Sequence, residues 1–145
     1  APTGNAYKLA LFSSDSASLS KSTTVYTAPA SANAVPTNTL EVSQSQTDGG
    51  ASNSGYTAGG AALTPSADPV LSGDTACVKF NDVSFTSATF TARGCLVYNS
   101  TAVTGFTTNR SVFAINFGSD KTVTSGTFTV QFPAQTAGNA IIQIA

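Results

Sequence analysis

Phe90-Thr-Ala-Arg-Gly-Cys-Leu-Val-Tyr98, Ser111-Val-Phe-Ala-Ile-Asn-Phe117 and Gly126-Thr-Phe-Thr-Val-Gln-Phe132 are written in strand code. β-branched and aromatic residues dominate them, and turn formers separate them at Asn99-Ser100, Gly118-Ser119-Asp120 and Ser125-Gly126. Working outward, Ala76-Cys-Val-Lys-Phe80 and Val83-Ser-Phe-Thr86 precede this block and Ala140-Ile-Ile-Gln-Ile144 follows it, with breaks at Asn81-Asp82 and Gly138-Asn139. Tyr7-Lys-Leu-Ala-Leu-Phe12, Thr23-Thr-Val-Tyr-Thr27 and Asn38-Thr-Leu-Glu-Val42 have the same texture, and no segment carries a helical period. Short strands at this spacing predict an all-β chain: an antiparallel β-sandwich or jelly-roll-like barrel of about eight strands, with long Gly/Pro/Ser-rich loops.

The faces of two strands can be assigned. Phe128, Val130 and Phe132 alternate with Thr127, Thr129 and Gln131, so this strand has one buried and one wet face. Ser111 to Phe117 is apolar on both faces, with Val112 and Ala114 on one and Phe113, Ile115 and Phe117 on the other. The pair Ile141-Ile142 is similar. Such strands are expected to be central, or covered by another chain, which points to an oligomer.

A chain of 145 residues fits one domain spanning 1–145. Residues 1–6 read as an N-terminal arm. Residues 43–75, with Asp48-Gly-Gly50, Gly59-Gly60, Pro65, Pro69 and Ser72-Gly-Asp74, read as a long loop region. Six Lys and Arg against seven Asp and Glu leave a formal charge of -1, so the basic footprint of a nucleic-acid binder is missing. Only 9% of residues are charged, and the polar surface is built from Ser, Thr, Asn and Gln, which suits packing among many copies. No apolar run approaches the ~20 residues needed to span a bilayer as a helix. The opening Ala1-Pro-Thr-Gly without Met fits removal of an initiator Met or of a leader.

The chemistry-bearing residues are few. With no His in the chain, Ser-His-Asp triads and the usual zinc sites are ruled out. Asp68, Asp74 and Asp82 are close in sequence but match no Ca²⁺ loop and read as turn residues satisfying their own backbone. Gly55-Tyr-Thr-Ala-Gly-Gly60 lacks the Lys-Ser/Thr of a phosphate loop and reads as structural. Asn99-Ser-Thr101 and Asn109-Arg-Ser111 match glycosylation sequons. Cys77 and Cys95 read either as buried free thiols or as a disulfide linking neighbouring strands. Phe106, with Arg110 just before an apolar strand, reads either as an interface anchor or as a ring tucked over the sheet edge. No catalytic residue, metal or cofactor is expected.

Three stretches carry a resemblance: Ser54-Gly-Tyr-Thr-Ala-Gly-Gly-Ala-Ala-Leu63; Val78 to Asn99, with its Asp82-Val-Ser-Phe85; and Phe113-Ala-Ile-Asn-Phe-Gly-Ser-Asp-Lys-Thr-Val-Thr-Ser-Gly-Thr-Phe-Thr-Val-Gln-Phe132. Together with the opening Tyr7-Lys-Leu-Ala-Leu-Phe12, this order of motifs resembles small structural proteins of tailed-bacteriophage virions. The resemblance implies a capsid decoration, or cement, protein: non-enzymatic, made in the host bacterial cytoplasm and carried on the outer capsid surface of the virion. Its partners would be the major capsid protein and copies of itself, a homotrimer being preferred, with no nucleic acid and no membrane. The interface residues expected on this reading are Pro2, Tyr7, Tyr56, Gly59, Gly60, Phe106 and Arg110. The alternative is a neck- or tail-associated, receptor-binding component that uses Tyr56, Phe106 and Arg110 on a glycan.

Overall fold

The apolar runs of Tyr7–Phe12 and of the second half of Val83–Asn99 pair antiparallel and form the two central strands of a four-stranded sheet. In the computed structural model the residues described are 4–13, 19, 23–27, 41–42, 55–66 and 70–144, with only the backbone at 142–144. Seven strands form: β1 (Tyr7–Phe12), β2 (Ala61–Leu63), β3 (Val70–Ser72), β4 (Thr75–Val78), β5 (Val83–Asn99), β6 (Arg110–Val130) and β7 (Ile142–Ile144). They make a four-stranded sheet in the order β2-β1-β5-β6 and a three-stranded sheet in the order β3-β4-β7. The fold is all-β, and no helix occurs among the described residues.

The chain divides into two compact units. The first comprises Ala1–Ala62 and Phe85–Phe128. Its β1–β5 register runs from Tyr7 opposite Asn99 to Phe12 opposite Gly94. Side chains directly opposite each other share a face. Leu9 and Leu11 therefore lie with Val97 and Cys95, and Ala10 with Leu96, and every one of these residues is buried. Both faces of this pair are covered. On one of them Ala10, Phe12, Tyr26, Leu96 and Tyr98 form a core cluster, with Leu19 packed against it. A series of rings extends from Tyr56 to Phe85 and Phe90, and from Phe90 through Phe128 to Phe117, at centroid separations of 5.1 to 6.2 Å.

The long strands differ from the sequence expectation in a consistent way. Val83–Thr86 and Phe90–Tyr98 are one 17-residue strand, and Ser111–Phe117 and Gly126–Phe132 belong largely to one 21-residue strand. Asn81-Asp82, Ser100 and Gly138-Asn139 do lie between strands, but Gly118-Ser119-Asp120 and Ser125-Gly126 do not reverse the chain. Ser87, Gly118 and Ser125 take positive φ within the strands, and the Gly118 N–H donates to Asn116 Oδ1 at 2.8 Å, so these positions are bulges that add twist. The hydroxyl pair Thr91–Thr122 (2.9 Å) and the ion pair Arg93–Asp120 (3.2 Å) stand in one cross-strand register on the wet face, whereas Gly94 meets the Ile115 carbonyl, so the register slips across the Gly118 bulge.

Among the described residues β6 is an edge strand. Of the two expectations for Ser111–Phe117, central or covered by another chain, the first does not hold: Phe113, Ile115 and Phe117 are half-buried on one face, while Val112 is 42% exposed on the other. The expected strand Thr23–Thr27 contracts to a single bridge, Val25 to Arg110. There the Tyr26 N–H donates to the Asn109 carbonyl (2.8 Å) and the Ser111 N–H to the Thr24 carbonyl (2.9 Å).

The second unit comprises Leu63–Ser84 and Thr129–Ala145. β3 and β4 form a hairpin through Gly73-Asp74, and β7 pairs antiparallel with the other edge of β4. Phe80 packs on Phe132 at 6.1 Å. Asp82 accepts the Phe132 N–H at 3.0 Å, a backbone-satisfying use, and the Gln135 amide donates to the Cys77 carbonyl at 2.8 Å. The region 43–75, expected as loop, thus carries β2, β3 and the start of β4; its residues 43–54 and 67–69 lie outside those described, as do Pro2, Pro29, Pro36 and Asp68. Cys77 and Cys95 are both free and buried, and they belong to different sheets.

Candidate functional site

The chain has a single Glu and four Tyr, and three of those tyrosines converge on that Glu. Glu41 is 1% exposed. It bridges to Phe12, and the Val42 N–H donates to the Leu11 carbonyl at 2.8 Å, which fixes Glu41 beside β1. Its Oε1 accepts the Tyr56 hydroxyl at 2.5 Å and the Gly59 N–H at 2.7 Å, and its Oε2 accepts the Tyr26 hydroxyl at 2.8 Å. Tyr56 Oη in turn accepts the Leu11 N–H at 3.0 Å, and the Tyr98 hydroxyl donates to the Gly59 carbonyl at 2.7 Å. The Tyr26 and Tyr98 rings stack, with centroids 4.4 Å apart and planes 8° apart.

Burial pushes the Glu41 carboxyl above its usual value, while the donors from Tyr56, Tyr26 and Gly59 pull the other way. Burial first, and the neighbouring Glu41 carboxylate second, raise the Tyr56 and Tyr26 hydroxyls well above the usual phenol range and Tyr98 to about 12. All three phenols are therefore neutral donors at ordinary pH. With both carboxylate oxygens engaged, the cluster offers no group to a substrate and serves to bind separate segments together. The Gly55–Gly60 turn does cradle an oxyanion, but the oxyanion is the chain's own Glu41. Gly60, at φ +75°, lies so close to the Leu9 carbonyl that a Cβ there would overlap it.

The interface residues expected from sequence fall into two groups. Tyr56, Gly59 and Gly60 stand in or against the buried cluster, where Tyr56 is 3% exposed. Tyr7 and Arg110 line one open groove of about 380 Å³, together with Asn99, Ser111 and Val112. Phe106 belongs with them: it is 62% exposed, and the Arg110 guanidinium lies over its ring, 4.9 Å from the centroid. The turn that presents Phe106 is closed by its N–H donating to the Val103 carbonyl at 3.0 Å. The floor of the groove follows from the β1–β5 register, which sets Tyr7 opposite Asn99, and from β6 beginning beside Asn99's strand.

Four residues escaped the sequence reading. Glu41 had one usable signal, being the only Glu of the chain in an apolar-flanked strand segment. Asn99 was singled out only as a sequon; it is 7% exposed and its Oδ1 accepts the Thr101 N–H at 2.9 Å. Ser111 and Val112 were read only as the start of an apolar strand, and Ser111 as part of a sequon, with nothing to mark them as groove residues. Among the described residues no group of His, Cys, Asp and Glu could hold a metal ion. Comparison with protein-family models, with curated proteins and with solved structures found no match.

Proposed function

We propose that this chain is a virion structural protein, a capsid decoration or cement protein that binds the outer surface of a phage head and stabilises contacts between shell subunits. The observation that carries the reading is β6, a 21-residue strand on the edge of its sheet among the described residues, with Val112 exposed beside an exposed Phe106 and the half-buried Arg110 that lies over its ring. A sheet edge carries unpaired backbone donors and acceptors, and an aromatic-Arg pair makes a strong anchor for a neighbouring chain. The resemblance of the ordered motifs to those of virion structural proteins supports the same reading, as does a polar surface built from Ser, Thr, Asn and Gln with few charges. The finer architecture, a sandwich or jelly-roll-like barrel of about eight strands, belongs to this proposal, as do the homotrimer, the major capsid protein as partner and the non-enzymatic role.

Such a protein works by adding contacts that outward pressure on the shell must also break. Counting copies in purified virions tests it: a number comparable with the major shell protein and density on the outer head surface are expected. A few copies per particle, or density at the tail, would overturn it. The second reading, a glycan-binding neck or tail component, draws on the same exposed Phe106 and the half-buried Arg110 beside it. Binding of the isolated protein to a glycan array, with loss in Phe106→Ala, would favour that reading over cement.

A further inference from the structure

The groove beside Phe106 presents donors from Arg110, Asn99 and Ser111. Arg110 supplies a guanidinium with no acceptor capacity. The ion pair formed among the described residues is Arg93–Asp120, so no described carboxylate neutralises Arg110. The Oδ1 of Asn99 is occupied by the Thr101 N–H, which leaves its NH₂ as the group it can offer. Ser111 Oγ is buried and has no hydrogen-bond partner among the described residues, whereas buried hydroxyls are ordinarily paired. Tyr7 and Val112 supply apolar wall.

The Arg110 guanidinium carbon lies over the Phe106 ring, 4.9 Å from its centroid, and its planar fork of N–H donors suits two-pronged recognition. The lining includes one cation and no carboxylate, so its charge matches a monoanion better than a phosphate dianion. We infer that this groove binds a carboxylate group. Arg110 takes the two oxygens as a fork, the Ser111 hydroxyl and the Asn99 NH₂ donate to the same group, and the apolar remainder of the ligand rests on Tyr7 and Val112. The inference does not depend on the virion reading, since the carboxylate can come from a small acid or from an Asp or Glu side chain of another protein.

The test is a ¹⁵N NMR titration of the full chain at constant ionic strength with acetate, N-acetylaspartate, inorganic phosphate and glucose. Two capped pentapeptides that differ only by Asp or Asn at the centre are titrated alongside. Expected are saturable shifts from both carboxylates at the Arg110 Nε–H, the Asn99 NH₂ and the Ser111 amide. Arg110→Gln should abolish them, and Ser111→Ala should weaken binding roughly 5-fold. Both variants should keep the parent circular dichroism, and Arg110→Lys, which keeps the charge without the fork, should recover part of the affinity. An Asp peptide more than tenfold tighter than acetate assigns the carboxylate to a protein neighbour, while equal affinity assigns it to a small acid. Shifts absent from these residues, undiminished in Arg110→Gln, or equally strong with phosphate or glucose would overturn the inference.

Discussion

Replacing Glu41 by Ala removes the shared acceptor of the Tyr26 and Tyr56 hydroxyls and the Gly59 N–H in a site where Glu41 is 1% exposed. Each buried donor left without an acceptor costs ~1–3 kcal/mol, and the truncated side chain adds a void. Relief of a buried carboxylate offsets part of this. The net expected loss is about 4 kcal/mol, a large fraction of the ~5–15 kcal/mol that a domain has. With a urea slope of ~1.5 kcal/mol per M, the unfolding midpoint should fall by ~2–3 M. The chain has no Trp, so tyrosine emission reports the transition, and three of the four tyrosines sit in the cluster itself. Glu41→Gln keeps a carbonyl acceptor and the shape, and should lose less than half as much. A midpoint within ~0.5 M of the parent for Glu41→Ala would refute the view that Glu41 organises this core.

Gly60→Ala forces a Cβ into the Leu9 carbonyl at a φ of +75°; a loss above ~3 kcal/mol is expected, and a melting temperature within ~5 °C of the parent would contradict it. Tyr98→Phe keeps the stack on Tyr26 but leaves the Gly59 carbonyl without its donor, so urea unfolding should show a loss of ~1–2 kcal/mol. Stability should also fall in alkali. Burial raises Cys95 from 9.0 and Tyr98 from 10.0 to about 12 each, so the unfolded chain releases these protons first. Their contribution is whole below pH 9 and is lost as pH rises towards 12, at ~1.4 kcal/mol per pH unit for each group. Urea midpoints across that range should fall steadily, less steeply in Cys95→Ala; a flat profile would count against the burial of these groups.

What could be read from sequence was what depends on period. The apolar, aromatic-rich texture of Tyr7–Phe12 and Phe90–Tyr98 marked two real strands, and the alternation of Phe128, Val130 and Phe132 gave their inward face. Chain reversal was misjudged because Gly118 and Ser125 carry positive φ equally well in a bulge as in a turn, and only the pairing of the opposite strand decides between them. The composition of Ser111–Phe117 called for a strand that is central or covered by another chain, and it could not choose between them, because position in a sheet is set by strand order, which a local window does not contain. The groove was half legible: Phe106 and Arg110 stood out as an aromatic-Arg pair, whereas Asn99 and Ser111 join them only through the β1–β5 register and the start of β6. Glu41 was overlooked because its donors lie 15 and 18 positions away along the chain.

Those separations bear on how the chain folds. A carboxylate that has lost water is unfavourable with one donor and acceptable with three, so the segments bearing Tyr26, Glu41 and Tyr56–Gly59 gain little from docking singly. Their docking is therefore expected to be cooperative, because each partner segment brings a donor that the buried Glu41 carboxyl needs, and the cluster is completed only when Tyr98 of β5, the last of these residues along the chain, joins it.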